Sequence, residues 1–224
     1  MTKEITLTMI PAHVLKGMLL AAAKEDVRYY LKGVYFDTAR GRLVATTGHV
    51  MIIAKMTFEP NVKSVDPVIV PRDRIETALK GAKSDALVAV EIGPRPPKGS
   101  TSQVRSVRLI TGATSVSGAE LDGKYPDYER VVPKKFNGEP AQLNHEYVGT
   151  IGKALCLIET GKPSGKQTRT HYTGADEPAV MVAGSSAIGI VMPFRTKDGG
   201  PLADAIQNLG FKEKAQQQES QQAA

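Results

Sequence analysis

Runs with a two-residue period and runs with a helical period take turns along the chain, in one order that returns three times. Residues 4–10 (EITLTMI) alternate polar and apolar side chains, the signature of a strand. Pro11 follows. Its fixed φ and missing N–H suit the first turn of a helix. From Ala12 to Glu25 the apolar Val14, Leu15, Met18, Leu19 and Ala22 recur at helical spacing. Strands are then expected over Tyr29–Asp37, Arg42–Thr46 and Val50–Thr57, with a turn at 39–41.

The same order begins again at Pro67–Val70, a short strand. Pro71 opens a second helix that runs to about Lys83. Strands follow near Leu87–Ile92, Ser106–Thr111 and Ala113–Ala119, and the Pro/Gly/Ser stretch 93–103 reads as a loop. A third round starts with a strand at Pro140–Leu143 and a helix capped by Asn144. That helix runs to about Glu159, and strands follow near Arg169–Tyr172, Ala179–Ala183 and Ala187–Pro193. The pattern predicts an α+β fold of three βαβββ units at a period of roughly 60–70 residues. After Arg195 it breaks: KDGGP reads as a linker, and the Gln-rich 212–224 offers nothing to bury.

Composition narrows the classes. The 224 residues carry 29 Lys plus Arg against 23 Asp plus Glu, a net charge of +6, and the excess is spread over the body rather than gathered in an arm. One Cys, Cys156, excludes an intrachain disulfide. No apolar run reaches the length of a membrane span, and MTKEITLTMI lacks the layout of a signal peptide, so a cytoplasmic protein with no membrane partner is expected. Aromatic residues are only 5 %, too few for a binder that works by stacking bases.

Signals of catalysis are absent. GKPSGKQT at 161–168 has the wrong spacing for a phosphate loop, and Gln167 stands where Ser or Thr should follow the Lys. The four His show no metal-ligand spacing with Cys156, so neither a metal nor another cofactor is expected.

Three stretches carry a family resemblance. DVRYYLKGVYFD at 26–37 with LVATTGHVMIIA at 43–54, DGKYPDYERVVPK at 122–134, and IVMPFR at 190–195 together resemble the bacterial DNA polymerase III beta subunit, the sliding clamp. Residues 4–132 resemble the whole middle domain of that family, and 139–195 only the second half of its last domain. The resemblance implies a DNA-clamp fold of about one and a half clamp domains: a complete domain over 1–132, a half domain over 133–196, and a flexible tail over 197–224. Clamp chains of bacteria have three domains and close as dimers; those of phages and eukaryotes have two and close as trimers.

What the resemblance implies about function follows residue by residue. A pocket for a short peptide of polymerase-type partners would be lined by Leu31, Thr46, Gly48, His49, Val50 and Met51. Pro126, Arg130 and Val131 would join them, as would Asn144 and Tyr147, and then Ile190, Met192, Pro193, Phe194 and Arg195. The aliphatic and Met side chains suit an adaptable floor, and the few polar groups would orient a ligand. The family's Asp and Arg around the Gly-His pair are Thr47 and Val50 here, and its terminal Leu is Thr196. A duplex would lie along the helices, touched without sequence specificity through Lys16 and Lys24 on the first, Arg72, Arg74, Lys80 and Lys83 on the second, and Lys153 on the third. In the tail, Gln207, Leu209 and Phe211 are similar to a clamp-binding peptide, which would fill the chain's own pocket or a neighbour's.

The reading is thus a non-enzymatic processivity factor or recruitment platform. A truncated mimic that competes for clamp partners or pairs with a full-length clamp is the alternative within binding proteins, and a nuclease the alternative among enzymes. Self-association would run through the open sheet edges of 139–195.

Overall fold

The computed structural model describes residues 5–59, 62, 65–97, 99–100, 103–164 and 167–194. Its strands, in chain order, are β1 (Ile5–Pro11), β2 (Gly33–Asp37), β3 (Arg42–Thr46), β4 (Val50–Lys55), β5 (Val68–Pro71), β6 (Leu87–Ile92), β7 (Ser106–Thr111), β8 (Thr114–Ala119), β9 (Arg169–His171), β10 (Ala179–Val182) and β11 (Ala187–Val191). The helices are α1 (Ala12–Leu19), α2 (Arg72–Ala78) and α3 (His145–Thr160).

Pairing is antiparallel throughout, in a four-stranded sheet β1-β6-β7-β8 and a seven-stranded sheet β5-β2-β3-β4-β11-β10-β9. The first two units are interlocked. β1 leaves its own unit to pair with β6, and β5 crosses back to pair with β2. The third unit adds its last strand, β11, to the last strand of the first, β4, so 179–191 continues the sheet begun at Gly33. Residues up to Pro193 form one compact unit. Phe194 falls outside it, and the tail residues Gln207, Leu209 and Phe211 lie outside the described residues, as does Arg195.

The seven-stranded sheet is covered on both faces. Toward the helices it turns Val34, Phe36, Leu43, Ala45, Ile52, Ala54 and Val191, which pack with Leu15, Met18, Ile151 and Leu155. Toward the other face it turns Val44, Met51, Ile53, Ile69 and Ile190, which pack with Leu31, Tyr125 and Tyr128. Double coverage explains why β3 and β4 are apolar at nearly every position rather than alternating.

Several elements differ from the sequence reading. Tyr29–Leu31 is a 3-10 turn, and the strand starts only at Gly33. α1 stops at Leu19, and Arg72 Nη1 caps its end, donating to Leu19 O at 2.6 Å and to Ala22 O in the turn beyond at 2.8 Å. α2 ends at Ala78, followed by a turn with Gly81 at φ 71°. Residues 140–143 form no strand. The leading strands β1 and β5 each pair with the second strand of the other unit, and a lone third unit offers no such edge. Of the sheet edges of 139–195, expected to be open for a second copy, that of β11 is consumed by β4, and that of β9 ends the sheet.

α3 begins and ends as its residues dictate. Asn144 Oδ1 accepts from the N–H of Glu146 at 2.9 Å, and Gly161 closes the helix at φ 71° with its N–H on Leu157 O.

Candidate functional site

The β4–β11 seam is the floor of a cavity of about 170 Å³. Val50 and Met51 reach it from β4, and Ile190 and Met192 from and beyond β11. Thr46 comes from the end of β3, Gly48 from the turn between β3 and β4, and Leu31 from the 3-10 turn before β2. Pro126 and Val131 close it from the strap that crosses the outer face of the sheet. These nine are residues singled out by the sequence, brought together from four separate segments.

The Thr46–Val50 turn is built by its own side chains. Thr46 Oγ1 donates to Val50 O at 2.7 Å and accepts from Gly48 N–H at 2.9 Å. Gly48 has φ 91°, which favours glycine, and the Arg28 guanidinium lies 2.9 Å from where a Cβ would stand. On the other side of the seam Met192 N–H donates to His49 O at 2.9 Å, extending the β4–β11 ladder by one rung.

Three lining residues were missed: Arg28, Asp127 and Tyr128. Arg28 is held at the rim by Asp26, which receives its Nε at 3.0 Å, its Nη2 at 2.8 Å and its backbone N–H at 2.8 Å. Nη2 also donates to Thr47 O at 3.1 Å. The side-chain hydrogen bonds from Arg28, then its backbone N–H, hold the Asp26 carboxyl at a pKa of about 2, so the rim stays ion-paired at all but strongly acid pH. Tyr128 is fixed from below. Its hydroxyl donates to the buried Asp37 carboxylate at 2.8 Å and accepts from Arg42 at 3.3 Å. Burial first, and the bond to Asp37 second, push the phenol up to about 12. The only sequence signal for Arg28 was its place inside the DVRYYLKG stretch.

Other expected pocket residues stand beside the cavity or serve elsewhere. His49 turns away and stacks on Tyr147, rings 5.8 Å apart at 19°. Asn144 is spent as the cap of α3. Arg130 projects into solvent, paired with Asp127 at 2.9 Å. Pro193 is half-buried, and Phe194 is exposed.

The helix face is also rearranged. Lys16 Nζ donates to Ala82 O at 2.9 Å, and Arg72, beyond its two carbonyls, pairs with Glu76 at 2.8 Å. Both are structural cations, because each satisfies carbonyls at a helix or turn end. Arg74 lies against Gly118 and approaches Asp73 at 3.7 Å. Lys24, Lys80 and Lys83 are exposed in the turns that follow α1 and α2, not on the helices, and Lys153 is exposed on α3. Among the described residues no group of three or more His, Cys, Asp or Glu side chains converges, and no helix is long and apolar enough to cross a membrane.

The chain is similar to known proteins over most of this unit. Residues 10–127 match the family described as DNA polymerase III beta subunit, central domain. The beta sliding clamp of Pseudomonas aeruginosa is 34 % identical over 181 residues, 70 % of this chain and 47 % of that protein. The beta sliding clamp of Pseudomonas putida is 34 % identical over 117 residues, 51 % of this chain and 29 % of that one. The chain therefore spans less than half the length of either relative. Among solved structures, a DNA polymerase sliding clamp from Pseudomonas aeruginosa with ligand superposes with a TM-score of 0.64 at 20 % identity, covering 88 % of this chain and 68 % of that one. The sliding clamp of Bartonella birtlesii bound to griselimycin superposes with a TM-score of 0.60 at 20 % identity, covering 87 % and 67 %.

Proposed function

The chain belongs to the DNA polymerase III beta-subunit family, by a central-domain match across residues 10–127, and from that premise we propose that it is a non-enzymatic, clamp-like platform that captures a short peptide of polymerase-type partners in the β4–β11 cavity. The observation that carries this reading is the convergence of Leu31, Thr46, Gly48, Val50, Met51, Pro126, Val131, Ile190 and Met192 on one apolar hollow. Its volume, about 170 Å³, is below the roughly 300–1,000 Å³ of a pocket that encloses a whole small molecule. It suits one or two apolar anchor side chains, with Arg28 and the backbone of the Thr46–Val50 turn placed to orient the peptide around them. Duplex DNA is a second, weaker partner, met through the exposed lysines of the helix side.

Fluorescence anisotropy of a labelled peptide carrying spaced Gln, Leu and Phe tests the pocket. Val131→Asp and Met192→Asp, both at half-buried lining positions, should each weaken binding at least about tenfold, the equivalent of ~1.4 kcal/mol, with unchanged melting. Griselimycin, bound in the Bartonella birtlesii clamp structure, serves as a competitor. Equal affinity of wild type and both variants would place peptide capture elsewhere. A chain ending at residue 200 should bind the probe more tightly if Gln207, Leu209 and Phe211 occupy the pocket, and equally if they do not.

A further inference from the structure

The strands that end the two βαβββ units and the αβββ unit after them are β4, β8 and β11. Two of them show what such a strand does: β4 and β11 meet edge to edge, antiparallel, from Val50↔Val191 to Ala54↔Ala187, around a local two-fold near Ile52 and Gly189. Three is an odd number, and β8 is left over. It ends the four-stranded sheet with no strand beyond it among the described residues.

The other edges are guarded and β8 is not. β1 carries a register shift between Thr6 and Thr8 and ends in Pro11. β5 has four residues, ends in Pro71, and receives Leu121 N–H on Ile69 O at 3.0 Å. β9 has three residues, among them Arg169 and His171. Bulges, prolines, short length and charge are the usual devices that stop a sheet from growing. β8, TSVSGA, has six residues in unbroken register with β7, without charge, proline or bulk.

Its free donors can be named. The two-residue turn Gly112–Ala113 makes Thr111↔Thr114 the closing pair, and in an antiparallel ladder hydrogen-bonded pairs alternate. Thr114, Val116 and Gly118 therefore point their backbone groups at β7, in phase with the bond from Glu120 N–H to Arg105 O at 3.0 Å. Ser115, Ser117 and Ala119 point theirs outward. α2 packs on β8 and carries exposed Asp73, Arg74 and Glu76, so charges of both signs flank the strand.

We propose that β8 of one chain pairs antiparallel with β8 of a second copy, through the outward backbone groups of Ser115, Ser117 and Ala119, to form a two-fold dimer. The contact is isologous, as the in-chain β4–β11 junction nearly is. One six-residue strand pair and its helix flanks make a small interface, so association belongs in the micromolar range.

Sedimentation velocity of the full chain across that range tests it. The wild type should shift from one chain to two as concentration rises. Ser117→Pro removes one outward N–H and no bond to β7, and should raise the dissociation constant at least tenfold with unchanged melting. Ser115→Lys/Ser117→Lys, which sets like charges face to face, should do the same and covers the case in which the proline variant misfolds. A chain that stays single at every concentration overturns the proposal. So does a dimer insensitive to all three substitutions, which would lie elsewhere, or one lost when the chain ends at residue 194, which would belong to the tail.

Discussion

Arg72 and Lys16 stand where a duplex contact would want a free cation, and both spend their charge on backbone carbonyls instead. Asn144 stands where a pocket would want an orienting amide, and caps α3. The two cations looked available because their partners are remote in sequence: Ala82 lies far along the chain from Lys16, as Leu19 does from Arg72. Arg105 was not singled out, yet it ties the start of the strap to the segment before β5. Its side chain is 3 % exposed, reaches Glu120 at 2.6 Å, and donates to Asp66 O at 2.9 Å and Pro67 O at 2.6 Å. Arg105→Met strands a buried carboxylate and two carbonyls, and should cost about 3–5 kcal/mol in chemical denaturation. Arg105→Met/Glu120→Leu, which removes both charges, should recover much of that loss; an additive double mutant would show that the pair is not coupled.

At the scale of elements, α3 docks through two glycines. A Cβ on Gly17 of α1 would sit 2.6 Å from Ile158 Cγ1 and 2.9 Å from Ala154 O, and one on Gly189 of β11 would collide with Ile151. Gly149, on α3 itself, has nothing within 4 Å. Helix propensity alone favours Ala over Gly by about 1 kcal/mol at either helical position. Gly149→Ala should therefore raise the melting temperature. Gly17→Ala should lower it, because overpacking costs about 1–3 kcal/mol and part of the clash is with backbone. The same sign for both would mean that α1 and α3 do not pack as described. Legibility follows the same line. Strand and helix runs were readable because periodicity is local, and the α3 start at Asn144 was right to the residue. The crossing of β1 to β6 and of β5 to β2 was not readable, nor that 140–143 would lack a partner strand, because those depend on which edge another unit offers. For the site, the family-like segments named nine lining residues. They missed Arg28, which Asp26 holds at the rim with help from Thr47 O, and they misplaced His49, whose ring stacks on Tyr147.

For the whole molecule the question is what a charge of +6 does once structural cations are set aside. Lys16 and Arg72 are spent on carbonyls, and Arg28, Arg40, Arg42, Arg105 and Arg108 are tied to carboxylates. Of the cations expected to meet a duplex, Lys24, Lys80, Lys83 and Lys153 remain, exposed and with no ion-pair partner among the described residues. Such ammonium groups hold phosphates without reading bases, and each phosphate neutralised contributes about 0.9 to the slope of log affinity against log salt. With four candidates on one unit, binding to a linear duplex should be weak, steeply salt-dependent and indifferent to sequence. Lys80→Glu/Lys83→Glu/Lys153→Glu should lower the slope by about 2–3 and weaken every duplex alike. Arg130→Glu/Lys134→Glu, on the opposite side of the seven-stranded sheet near the cavity, should leave the slope unchanged. If the second pair of substitutions lowers the slope and the first three do not, DNA meets the sheet face, and the helices are not its track.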